Sequence, residues 1–152
     1  MISYFTEDTH FVLNQKRLVS KWLKEVTARN GHRTGALNYI FCSDSYLLEI
    51  NKQFLGHDYL TDIITFDHAP DYAGIYPAGA LSGDIYISID TVRYNAEAYG
   101  EGFDRELHRV IVHGLLHLIG FDDTSASLQK EMRAQENLAL DLWRELQAQS
   151  DK

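Results

Sequence analysis

Cysteine and proline are scarce in this chain, with one cysteine and two prolines in 152 residues. A single cysteine excludes an internal disulfide framework, so the fold must rest on its core, as expected in a reducing compartment. Cys42 lies in the apolar run Tyr39-Ile40-Phe41-Cys42 and reads as a buried core thiol. So few prolines leave little room for a long linker. No uninterrupted apolar run approaches the roughly 20 residues that span a bilayer. The longest such stretch, Val110 to Phe121, contains two histidines. The start, Met1 to Asp8, lacks a basic segment followed by an apolar stretch, so no secretory signal is expected and a cytoplasmic protein is. Positive charge is also short: 14 basic residues face 22 acidic ones, a net charge of −8. That weighs against gripping many phosphates over the whole surface. It leaves room for one local basic face, and Lys16, Arg17, Lys21 and Lys24 provide the candidate, followed by Arg29 and Arg33. Such a face binds RNA or is simply a solvated helix side.

What the chain does have is 45% hydrophobic and 24% charged residues, the balance of one globular domain over residues 1–152. Met1 to Phe5 reads as a strand. Asn14 to Arg29 carries Leu18, Trp22, Leu23 and Val26 at helical spacing, ended by Asn30-Gly31. Ala36 to Phe41 is a strand, and Ser43 caps a helix from Asp44 to Phe54 with Tyr46, Leu47, Ile50 and Phe54 inward. Thr61 to Phe66 is rich in β-branched and aromatic residues, a strand. A loop, Asp67 to Gly79, leads to a strand from Gly83 to Ile89, where Ile85, Ile87 and Ile89 alternate with Tyr86 and Ser88. Asp90 caps a helix through Tyr99. Phe103 to Ile119 is apolar on nearly every side and therefore buried. Ser127 to Gln147 is the last helix, with Leu128, Met132, Ala139, Leu142, Trp143 and Leu146 as its stripe. The expectation is an α+β fold: a small mixed sheet of about four strands packed with about five helices around a buried central helix.

That central helix carries the chemistry, in His113-Gly-Leu-Leu-His117-Leu-Ile-Gly120-Phe-Asp122-Asp123. Residues four apart share a helix face, so both imidazoles project together. Two polar rings on an apolar helix both need partners, and one shared metal satisfies both. Gly120 can reverse the chain and return the carboxylate of Asp123 over the same face, with Asp122 as the competing ligand and otherwise a turn residue. Two histidines, one carboxylate and a fourth position free for water form a catalytic zinc pattern. The spacing also matches the zinc-peptidase pattern His-Glu-x-x-His-x-x-Gly-x-x-His. Here Gly114 replaces the glutamate that is the general base of those peptidases.

His113-Gly-x-Leu-His117-Leu-x-Gly120-Phe121 resembles the signature of the YbeY family of bacterial metal-dependent endoribonucleases. Leu48-Glu49-Ile50-Asn51, Thr61-Asp62-Ile63-Ile64-Thr65-Phe66, Gly83-Asp84-Ile85-Tyr86-Ile87-Ser88, and Met132-Arg133 with Glu136 extend the likeness across residues 48 to 138. Two positions depart from it. Asp123 stands where the family has a third histidine, and Leu55 where it has an arginine near the active site. The resemblance implies a zinc-dependent, single-strand-specific endoribonuclease of ribosomal RNA maturation at the 16S 3′ end and of ribosome quality control. It implies one Zn²⁺ per chain on His113, His117 and Asp123, and single-stranded RNA and the ribosomal small subunit as partners. The catalytic group beyond a metal-bound water is left open, with Asp122, Asp84 and His57 as candidates. Two rival functions remain: a zinc metallopeptidase-like hydrolase, and a non-catalytic ribosome-associated zinc protein.

Overall fold

A computed structural model describes residues 1–151. Four strands form one mixed sheet in the order β1-β2-β4-β3: β1 Ile2–Thr6, β2 Arg33–Cys42, β3 Ile63–Asp67 and β4 Ala80–Ser88. β1, β2 and β4 run parallel, and β3 pairs antiparallel with β4. The helices are α1 Lys16–Arg29, α2 Asp44–Leu55, α3 Ile89–Ala98, α4 Phe103–Ile119 and α5 Ala126–Ser150. Thus the expected α+β architecture and its element order are present.

Strand alternation divides the sheet into two unlike faces. Leu37, Tyr39, Phe41, Ile85 and Ile87 turn toward the main core, where α1, α4 and α5 cover them. On the other face Cys42, Ile64, Phe66 and Tyr86 meet α2 through Leu47, Tyr46 and Ile50 in a smaller cluster. Phe54, expected inward, is 59% exposed and only its edge meets Phe66. It is the penultimate residue of α2.

The helix ends are set by local chemistry. Gly31 and Gly56 take the left-handed conformation just past α1 and α2, which only glycine adopts without strain. Ser43 caps α2 as expected, its Oγ accepting from the Tyr46 N–H. Ser88, not Asp90, caps α3 by accepting from the Thr91 N–H. Asp90 instead accepts from the Asp44 N–H of α2, while Asp44 accepts from the hydroxyls of Ser88 and Thr91. The two helix starts are therefore tied together: Asp90 satisfies an orphan N–H of α2, and Asp44 holds the hydroxyl of Ser88, the cap of α3. Ser125 caps α5, which begins slightly earlier than expected.

α4 occupies the centre, with Val112, Leu115, Leu116 and Ile111 fully or almost fully out of solvent. Tyr39 of β2 donates its hydroxyl to the Ile111 carbonyl at 2.9 Å. Gly114 is where the helix touches the sheet: a Cβ there would lie 2.8 Å from Ile85 Cγ2 and 3.0 Å from Ile63 Cδ1. Trp22 of α1 donates to the Ala139 carbonyl of α5 at 2.7 Å, which ties the outer helices together.

His108 sits in this helical core, 8% exposed, with its ring 4.2 Å from that of Trp143 and 5.7 Å from that of Trp22. Burial pushes its pKa down to about 4, against a smaller opposing pull from Asp104. The unfolded chain protonates His108 near the ordinary value of about 6.5, while the folded chain stays neutral until about 4. Stability is therefore full above about pH 6.5 and falls as pH drops toward 4. The expected loss between pH 7 and pH 5 is about 2 kcal/mol, and a His108→Leu variant should lack it. Urea unfolding of both proteins at the two pH values checks this; equal losses would refute it.

Candidate metal centre

The end of α4 builds the site. His113 and His117 lie one helical turn apart, with ring centroids separated by 4.7 Å. The chain then reverses at Gly120, whose φ of 127° suits only glycine. The amides of Gly120 and Phe121 both donate to the Leu116 carbonyl, closing the helix. That turn brings Asp123 back over the histidine face. Asp123 Oδ2 is 3.5 Å from His113 Nε2 and 3.6 Å from His117 Nε2. One donor atom from each of these residues falls within 4.8 Å of the others.

These residues suit a metal ion. Tetrahedral zinc with bonds of 2.0–2.1 Å places its ligand atoms about 3.3 Å apart. The observed separations come close to that, and two imidazoles with one carboxylate are a known zinc set. The side chains are partly open, 19% for His113, 28% for His117 and 41% for Asp123, so the cluster faces solvent on one side.

Asp122 takes the turn role. Its carboxylate accepts from the Asp123 N–H at 2.7 Å and from the Thr124 hydroxyl at 3.2 Å. Asp84 is not brought to the cluster. It lies on the face of the sheet beneath α2, where it accepts from Asn38 and pairs with His68. His57 is exposed beyond α2 and stacks on Tyr59. Leu55 ends α2 at 44% exposure and does not line the cleft beside the cluster. Lys16, Arg17, Lys21 and Lys24 do share one side of α1, where they edge a shallow groove with Ile2 and Tyr4. That groove lies beyond β1, at the opposite edge of the sheet from β3 and about 14 Å away in strand spacings.

A cleft of about 240 Å³ opens beside the cluster, lined by His113, Asp123, Asp62, Arg109, Arg133 and Glu136 among others. Asp62 immediately precedes β3 and lines this cleft. Burial raises its carboxyl above the ordinary aspartate value, against the opposing pull of His113. The sequence held a signal for it: a lone acid at the head of an otherwise β-branched and aromatic strand. Behind the histidines, Glu136 of α5 accepts from His113 Nδ1 at 2.6 Å. Burial alone depresses the His113 pKa, but the hydrogen bond and charge of Glu136, with Asp62 and Asp123, outweigh it and hold it above the ordinary value. Burial likewise raises Glu136, and His113 and Arg109 more than reverse that. A larger cleft of about 490 Å³ lies between residues 11–15, the start of α4 and the end of α5, and contains none of the three clustered residues.

The family model described as Endoribonuclease YbeY matches residues 2–144. Relatives of that name share 49% identity in Phocaeicola vulgatus, over 93% of this chain and 98% of the relative. The figures are 47% in Bacteroides thetaiotaomicron (91% and 96%) and 44% in Porphyromonas gingivalis (95% and 91%). A solution structure of a Thermotoga maritima protein superposes with a TM-score of 0.65 at 27% identity, covering 98% of this chain and 93% of that one. With its helix-borne histidine pair, the glycine turn behind it and a match over nearly its whole length, this chain belongs to the Endoribonuclease YbeY family.

Proposed function

We propose that this chain is a zinc-dependent endoribonuclease that hydrolyses single-stranded RNA, acting on the 3′ end of 16S ribosomal RNA and in ribosome quality control. The observation that carries this reading is the convergence of His113, His117 and Asp123 beside an open, polar cleft, in a chain of a family named for endoribonuclease activity. The ribosomal small subunit is the partner and the cytoplasm the compartment. No helix among the described residues is long and apolar enough to cross a membrane.

His113, His117 and Asp123 hold the metal. When bound, zinc supplies Lewis acidity toward a phosphoryl oxygen and acidifies a water. The remaining steps fall to side chains. Asp62, raised by burial, holds or takes a proton at its carboxylate. Arg133, its side chain 57% exposed at the cleft, offers a guanidinium to a phosphate. Arg109 is buried and already paired with Glu136. The basic side of α1 binds the strand farther along. Peptidase chemistry is disfavoured by packing: a side chain at position 114 would collide with Ile85 and Ile63, so the glutamate base of zinc peptidases has no place here.

Purified protein should carry about one zinc per chain. His113→Ala and His117→Ala should empty the site, Asp123→Ala should strongly reduce occupancy, and Asp122→Ala and Asp123→His should stay near normal. Full zinc content in either histidine variant overturns the site. Metal-loaded protein should cut single-stranded RNA but not casein, and a chelator should stop it; intact RNA in the loaded arm would favour a binding protein instead.

Phosphate contacts release counterions, so RNA affinity should fall steeply with salt. Charge reversal at Lys21 and Lys24 should weaken binding at least tenfold at low salt. Unchanged affinity would remove α1 from the RNA path.

Asp62 is active as the carboxylate, so activity should rise with pH through a pKa above the ordinary aspartate value. Asp62→Asn should abolish that limb and lower the rate by roughly 10²–10⁴ at saturating metal. An unaltered pH profile in the variant would take the role from Asp62.

A further inference from the structure

We infer that Glu136, held by Arg109, is a positioning residue that fixes the His113 ring for metal binding. The inference rests on the metal reading above.

A neutral imidazole exists as two tautomers, and only the nitrogen without a proton can bind a metal. His113 Nδ1 donates to Glu136 Oε2 at 2.6 Å, so the proton stays on Nδ1 and Nε2 presents its lone pair toward Asp123 and His117. Outer carboxylates of this kind orient metal-bound histidines and raise their basicity. Among the described residues His117 has no equivalent partner, its Nε2 facing Asp123 alone. His113 is therefore the preorganised member of the pair.

Glu136 would be a poor anchor if it moved. It is 6% exposed, and its other oxygen, Oε1, accepts from Arg109 Nη1 at 3.1 Å. The same Nη1 donates to Asn137 Oδ1 at 3.0 Å, and Nε lies 3.9 Å from Glu106 Oε1. Arg109 stands one turn before His113 on α4, itself only 9% exposed. Both oxygens of Glu136 are thus occupied. Arg109 thereby holds the carboxylate against the Nδ1 edge of the His113 ring. A buried ion pair is weak evidence of stability in itself, since its desolvation offsets most of its attraction. Its placement behind a metal ligand gives it a use.

The test is zinc affinity by competition with a chromophoric chelator for the full-length protein, Glu136→Gln, Arg109→Met and His113→Ala, with circular-dichroism melts. Glu136→Gln should weaken zinc binding by about 10–100-fold while the fold is kept, and Arg109→Met should also weaken it. A Glu136→Gln affinity within twofold of the parent, whatever the melting temperature, overturns the inference and leaves a structural ion pair. His113→Ala separates the two levels. If it loses zinc while Glu136→Gln does not, only this inference fails; if it keeps zinc, the site itself is wrong. Should Glu136→Gln not fold, the ¹⁵N–¹H long-range spectrum of the zinc-loaded parent decides. His113 must carry its proton on Nδ1, and a proton on Nε2 refutes the inference.

Discussion

The close approach of α4 to the sheet at Gly114 fixes nearly everything that follows. With no side chain at 114, the helix backbone rests against Ile85 and Ile63. That contact sets both the height and the rotation of α4. His113 then turns toward α5 and the cleft, with His117 one turn beyond it. Had the helix stood farther off, a glutamate would fit between the histidines, but the core beneath them would lose its packing. The same glycine that leaves no room for a glutamate seats the two histidines on either side of it.

A second layer of order comes from charge inside an apolar core. Glu106, Arg109 and Glu136 are each less than a tenth exposed, yet they form one chain of contacts from α4 to α5 that ends on His113. Burial pushes Glu106 toward its neutral form, and Arg109 opposes that. Such groups are tolerated only because they are joined to one another. Their effect is to make the rotation of α5 against α4 a chemical matter as well as a packing one.

The outline of the fold was legible because it is written in local periods. Alternation marked the strands, 3.6-residue spacing marked the helices, and Ser43 and Gly31 marked ends correctly. The grouping of His113, His117 and Asp123 was legible for a similar reason, since all three lie within eleven residues of one another and obey helix and turn geometry. Glu136 is 23 residues from His113 and Asp62 lies just before β3, so no local period joins either to the histidines; Arg109 shares their helix face, but its partner Glu136 is 27 residues away. Asp84 shows a reading within reach but missed: it alternates with Ile85 and Ile87, whose side chains face α4, so strand parity alone sends it to the other face. Asp90 was misplaced because two helix starts share their caps, a contact between elements 46 residues apart.

The chain has only two tryptophans, and both lie in one place. Trp22 and Trp143 meet edge to face at 5.3 Å with His108 against both rings. Tryptophan fluorescence of this protein therefore has a single source, the seam where α1, α4 and α5 come together. The sheet and α2 contribute nothing to it directly. A dye-free optical signal thus follows the docking of the outer helices, and a protonated imidazole within that seam would quench it. Unfolding that began at β3 would pass unseen until the helical layer parted.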